Sequence, residues 1–293
     1  FKHVRIPVRW SDHAAMKHPY LIEPAFARRV KQVVDWALGA GLVVVVNVHH
    51  YVDMFEPGNE VPFAQHRERL AAFWRQICDL FPLNNTYTRE KLVFELLNEP
   101  WGRVGAKEWN QIIAELTDVI WNQKKQARRK IMIGTPAEGC DGKTKGCVKS
   151  LYQLSLPAAC TPENTIITVH NYEPIRFTHQ GASWHEGAYA WIGTPWTGTA
   201  VEQRFLTDLF DSAVAWNKDK RFEMNMGEFG AYSVQVEPAH QKAWTAFNTR
   251  ETERRGWSWT YWEFCLNFGA YDPYEKEWYP ELIDALIPAE LRE

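Results

Sequence analysis

No apolar run in this chain reaches the ~18 residues that a membrane-crossing helix needs; the stretch at residues 42–48 has only the length of a β-strand. A membrane partner is therefore not expected. An excess of charge of one sign is lacking too. The 33 Lys and Arg nearly balance the 36 Asp and Glu, and the two kinds are interspersed, leaving a net charge of −3. That excludes the basic stripe of a nucleic-acid-binding surface and the polybasic patch of a lipid-binding one, and it points to a neutral substrate. There is no internal repeat, linker or low-complexity tract, so residues 1–293 read as one domain. No leader peptide is visible, but Phe1 already lies inside a strand pattern, so its absence excludes nothing. Cysteine is scarce, at five residues. Cys140 and Cys147 bracket a turn-rich loop that a disulfide could close, which favours a secreted protein; the alternative is a set of free thiols in a reducing compartment.

The chain does have alternation. Apolar strand-like runs at residues 1–8, 42–48, 92–97, 130–135, 165–169, 222–227 and 257–262 are each followed by a helical pattern, at 24–38, 63–80, 106–125, 150–154, 201–217, 238–255 and about 284–286. Length and a 45% hydrophobic content suit one (β/α)8 barrel of about 250 residues. Seven strands do not close such a barrel, so an α/β, TIM-barrel fold apparently lacking its first strand and helix is expected; the complete barrel is expected to be a monomer. Residues 173–199, rich in Trp, Gly, His and Thr, are too long for a plain connector and read as a binding loop. Fifteen Trp can serve core packing, but they can also stack on the apolar faces of sugars, and the count leans towards the second.

Active sites of such barrels open at the carboxyl ends of the strands. Two strands end in glutamates there, Asn98-Glu99-Pro100 and Met226-Gly227-Glu228. Paired carboxyls cleave glycosidic bonds, one protonating the leaving oxygen while the other attacks the anomeric carbon or activates water. The duller alternative for Glu99 is a cap for the next helix. Other strand ends carry Arg5, His49 and His50, His170 and Tyr172, and Trp262.

Taken in order, Val4-Arg5-Ile6-Pro7, Asn47-Val48-His49, Asn98-Glu99-Pro100, His170-Asn171-Tyr172, Gly227-Glu228-Phe229-Gly230 and Ser258-Trp259-Thr260-Tyr261-Trp262 resemble the motifs of glycoside hydrolase family five, a family of retaining (β/α)8 glycosidases. Phe177-Thr178-His179-Gln180-Gly181-Ala182 and Tyr261-Trp262-Glu263-Phe264 are most similar to those of bacterial endo-β-1,4-glucanases and mannanases. The resemblance implies an endo-acting cellulase that works without cofactor or metal on a β-linked polysaccharide. Glu99 would be its acid/base and Glu228 its nucleophile. Arg5 and Tyr172 would donate to Glu228, Asn98 would hold the sugar 2-hydroxyl, and His49, His50 and His170 would bind hydroxyls or orient Glu99. Trp262, followed by a cis peptide bond, would form the floor under the ring, and Trp184 would be a subsite platform. The family's glycine-asparagine motif on the first strand is missing.

Each role has a rival. Arg5 could pair with Glu95 in the core, the histidines could be neutral core donors, and Trp184, Trp191 and Trp196 could pack their own loop. The histidines and glutamates could instead ligate the metal of a barrel hydrolase, although the usual His-x-His on a first strand is absent. A non-catalytic glycan-binding barrel is the third reading, and it has no need of two carboxyls.

Overall fold

The computed structural model describes residues 1–136 and 147–292, arranged as two compact units. The first comprises Phe1–Thr168 with Lys220–Glu223, and the second Val169–Asp219 with Met224–Glu293.

In the first unit, β1 (His3–Ile6) is followed by α1 (Pro24–Gly39), β2 (Val43–Asn47), the single turn α2 (Val52–Phe55), α3 (Phe63–Leu80), β3 (Leu92–Glu95), α4 (Ala106–Asp118) and β4 (Ile131–Ile133). All pairing is parallel and in chain order, with Arg5 opposite Val45, Val45 opposite Val93, and Met132 opposite Ile166 at the start of β5 (Thr165–Asn171). The β-branched run of β2 has one face in a core layer of Val45, Val93, Met132 and Ile166. Proline opens α1, where its missing N–H costs nothing. Three buried indoles tie helices to the ends of strands: Trp74 donates to Leu96 O (3.0 Å), Trp109 to Gly134 O (2.8 Å) and Trp121 to Arg129 O (2.9 Å).

The second unit contains the end of β5, α5 (Ile175–Thr178), α6 (Ala200–Asn217), β6 (Glu223–Phe229, entering at Met224), α7 (Pro238–Arg254), β7 (Ser258–Tyr261), a short antiparallel hairpin of β8 (Tyr271–Asp272) and β9 (Glu277–Trp278), and α8 (Pro280–Leu286). β6 and β7 pair in parallel with a break in register. Met226 faces Trp259 and Phe229 faces Tyr261, so three steps on β6 match two on β7. The extra residue falls at Gly227-Glu228.

Among the described residues the parallel strands number seven, as the alternation predicts, and their boundaries shift by a few residues. The expected helix at 150–154 is a 3₁₀ turn, Val148–Gln153, and the helix at 106–125 ends in a π turn, Val119–Gln123. The α2 turn and the β8–β9 hairpin have no counterpart in the sequence reading. Of the two uses open to the tryptophans, core packing takes five, because Trp10, Trp74, Trp109, Trp196 and Trp244 are fully buried. Cys147 is disulfide-bonded, whereas Cys78, Cys160 and Cys265 are free thiols; Cys140 lies outside the described residues.

Candidate active site

In the first unit His49, His50, Asn98 and Glu99 stand just beyond the ends of β2 and β3, and Arg5 lies within β1. Arg5 on β1 is buried and forks onto Glu95, Nε to Oε2 at 2.6 Å and Nη2 to Oε1 at 2.7 Å. This is the core pairing that strand parity suggested as the alternative role for Arg5. Nη2 also donates to Asn98 Oδ1 at 2.6 Å. A guanidinium can only donate, so Asn98 must present its carbonyl to Arg5, leaving its NH2 as a donor. His49 is oriented by the same logic. Asn47 Oδ1 accepts from Val8 N–H (3.3 Å), so the Asn47 amide nitrogen faces His49 Nδ1 at 3.2 Å. Nδ1 then accepts, and in the neutral ring the proton sits on Nε2. His50 is exposed, with its ring 4.2 Å from that of His49. His50 and Glu99 both hold left-handed backbone, at φ +48° and +42°. Non-glycine residues resist that conformation, and where it persists it clusters at functional sites.

In the second unit the buried Glu228 sits at the register break of β6, a feature that bends a strand and re-aims its side chains. Tyr172 hydroxyl donates to its Oε2 at 3.0 Å, and His170 Nδ1 lies 3.7 Å from the same oxygen. Tyr172 belongs to a cluster with Ala182, Ala188, Tyr232 and Phe268, against which the half-buried Trp262 packs. The Trp262–Glu263 peptide is cis, as the resemblance implies. Gly230 sits where an added Cβ would lie 2.1 Å from Trp262 O, while Trp262 N–H donates to Phe229 O at 2.9 Å.

The loop at residues 173–199 is pinned by Gln180. Its amide donates to Phe177 O and Thr194 O and accepts from Gly193 N–H, at 2.8 to 2.9 Å. Of its tryptophans, Trp196 is buried against Phe247 and Trp191 half-buried, whereas Trp184 is 58% exposed and backed edge-on by Tyr232 at 5.0 Å. Sequence reasoning did not single out His179 or Phe268, whose rings lie 5.0 and 6.2 Å from that of Tyr172. The signal for His179 was its place in the Phe177 to Ala182 motif; Phe268 had none. Glu263, next to Trp262, is half-buried, and desolvation raises its pKa, opposed by backbone N–H groups of Phe268 and Leu266.

Residues 1–267 match the family described as Cellulase (glycosyl hydrolase family 5). The chain belongs to that family. Among solved structures, Thermotoga maritima Cel5A, in complex with cellobiose, superposes with a TM-score of 0.86 at 40% identity, over 98% of this chain and 86% of that one. The same protein is also known in complex with mannotriose. A hyperthermophilic endo-β-1,4-glucanase in complex with substrate gives 0.87 at 33%, over 98% and 85%. The fold class of this family 5 chain is thus the (β/α)8 barrel. Endoglucanase H of Acetivibrio thermocellus is 29% identical over 93% of the chain, which spans only 26% of that relative. The share is similarly small for the other leading curated relatives, 30% and 35%.

Proposed function

We propose that this family 5 chain is a secreted, endo-acting, retaining glycosidase that cleaves β-1,4-glucan, and secondarily mannan or glucomannan, with Glu228 as nucleophile and Glu99 as acid/base. The observation that carries this reading is the hydroxyl of Tyr172 donating to the buried Glu228. A donor aimed at a carboxylate oxygen favours the ionised form, which a nucleophile requires. Asn98 supports it, since Arg5 leaves the Asn98 NH2 as a donor suited to the sugar 2-hydroxyl, a contact that strengthens as the oxocarbenium-like state forms. Trp184, an exposed indole on an aromatic backing, suits a subsite platform, and Trp262 suits the floor. The cellobiose and mannotriose complexes of the Thermotoga protein support the substrate class. The disulfide at Cys147 supports export.

The two carboxyl roles separate kinetically. Glu228→Ala removes the covalent step and should abolish hydrolysis of both polysaccharide and aryl cellobioside. An aryl group leaves without a proton, so Glu99→Ala should still form the glycosyl-enzyme from the aryl substrate, then release it slowly, giving a burst. Azide needs no base and should rescue that variant to a β-glycosyl azide. Burst and rescue in Glu228→Ala instead would reverse the roles. Full activity in both variants would refute the glycosidase reading. Chelation should leave the rate unchanged; loss of activity with EDTA, restored by a divalent metal, would favour the metal-dependent hydrolase.

A further inference from the structure

The segment that follows Glu99 grips the loop that follows His50. α2 is one turn long, so its last carbonyls have no helical partner and must find donors elsewhere. One residue supplies them. Arg103 Nη2 donates to Asp53 O at 2.8 Å, its Nε to Met54 O at 3.4 Å, and its main-chain N–H to Phe55 O at 2.8 Å. Nη1 reaches further along the loop, to Val61 O at 3.0 Å and Asn59 O at 3.4 Å. The guanidinium also lies over the Phe63 ring, 5.8 Å from its centroid. Beside it, Gly102 (φ +59°) passes so close to Phe55 O that a Cβ there would lie 2.1 Å from the oxygen.

The two loops joined in this way begin at the two left-handed residues, His50 and Glu99. Such conformations persist only where the surroundings over-determine them. Arg103 is four residues from Glu99, and its contacts are with the backbone of the loop that starts at His50. The guanidinium donates to main-chain carbonyls, and those contacts fix chain geometry.

We propose that Arg103 is a positioning residue for Glu99, a clamp that caps α2 and thereby holds the Glu99 and His50 backbones in their left-handed form. This rests on the acid/base reading of Glu99 given above. A planar fork is needed to reach several carbonyls at once, so lysine should replace it only in part.

The test uses Arg103→Ala and Arg103→Lys, alone and combined with Glu99→Ala, on a soluble β-1,4-glucan and on dinitrophenyl β-cellobioside. Misplacing a catalytic group by an ångström can cost up to about 100-fold, so Arg103→Ala should lower kcat on the glucan by about 10-fold or more with KM nearly unchanged. The pre-steady-state release of dinitrophenol, which needs no acid, should change by no more than about 2-fold. Arg103→Lys should fall between, and it carries the test if the alanine variant does not fold. With Glu99→Ala as background, Arg103→Ala should have little further effect, as expected of residues acting as a unit. Equal losses on both substrates, or the same factor with and without Glu99, would overturn the proposal and leave Arg103 a purely structural residue. If Glu99→Ala retains full activity, the acid/base reading falls and the positioning role falls with it; that result is distinguishable because it does not involve Arg103 at all.

Discussion

At the scale of single residues, the hydrogen-bonding sense of the candidate site is set by neighbours that never need to touch a substrate. Arg5 decides which end of Asn98 is a donor, and Asn47 decides which nitrogen of His49 carries the proton. Gly230 contributes by what it lacks. An added methyl would meet Trp262 O at 2.1 Å and Phe268 Cδ1 at 3.2 Å, and the first of these is backbone that cannot swing aside. Gly230→Ala should therefore push the Trp262 main chain away and lower kcat/KM for cellulose-type oligosaccharides by at least about 10-fold, as a shift of an ångström at a positioned group does. Unchanged steady-state kinetics would show that Trp262 is not part of the sugar site. The glutamates, histidines and Trp262 were legible as candidates because their chemistry is tied to residue type and to the end of a strand. The Arg5 to Glu95 fork was visible only as one of two possibilities, because strand parity says which side chains share a face and not which of them meet.

At the scale of elements, the strands and long helices follow from hydrophobic period, and the features that shape the site do not. The extra residue in β6 at Gly227-Glu228 leaves no mark in the alternation of apolar residues, because a bulge is a mismatch in pairing between two strands and not a pattern within either. α2 is too short for a period to show. α6 is the opposite case. Its N-terminus is a capping box in which Thr199 Oγ1 accepts from Glu202 N–H (3.3 Å) and Glu202 Oε2 accepts from Thr199 N–H (2.8 Å), a spacing readable in sequence. Thr199→Ala should cost about 1 kcal/mol. Chemical denaturation should show this as a lower midpoint at unchanged slope, with activity intact under native conditions. Because Thr199 also ends the loop pinned by Gln180, a changed KM in this variant would indicate that the cap also sets the loop conformation.

At the scale of the whole molecule, stability should depend on a buried polar chain in the first unit. Arg69 Nη1 donates to Tyr51 hydroxyl (3.2 Å), Tyr51 hydroxyl lies 2.9 Å from His66 Nδ1, and His66 Nε2 lies 3.3 Å from Asn59 Oδ1. This run needs a neutral His66 with its proton on Nε2. Burial lowers the His66 pKa, with Arg103 and Arg69 acting in the same direction and Asp53 opposing, and burial raises that of Tyr51 to about 12. The sign follows from linkage. The unfolded chain takes up a proton near pH 6.5 while the folded one resists it, so this contribution is complete above about pH 6.5 and is lost as the pH falls below that value. The melting temperature of the wild type should drop more between pH 7.5 and 5 than that of His66→Gln; parallel curves would show that His66 is not the responsive group. The sequence by itself determined the class of fold, the family and the identity of the candidate carboxyls, because period, strand ends and motif order are local properties of the chain. Only the tertiary structure decided that five tryptophans fill the core, that Arg5 forks onto Glu95, that Tyr172 donates to Glu228 and that Arg103 caps α2. Each of these joins residues far apart in the chain, and a linear pattern carries no record of which donor reaches which acceptor once the backbone has folded.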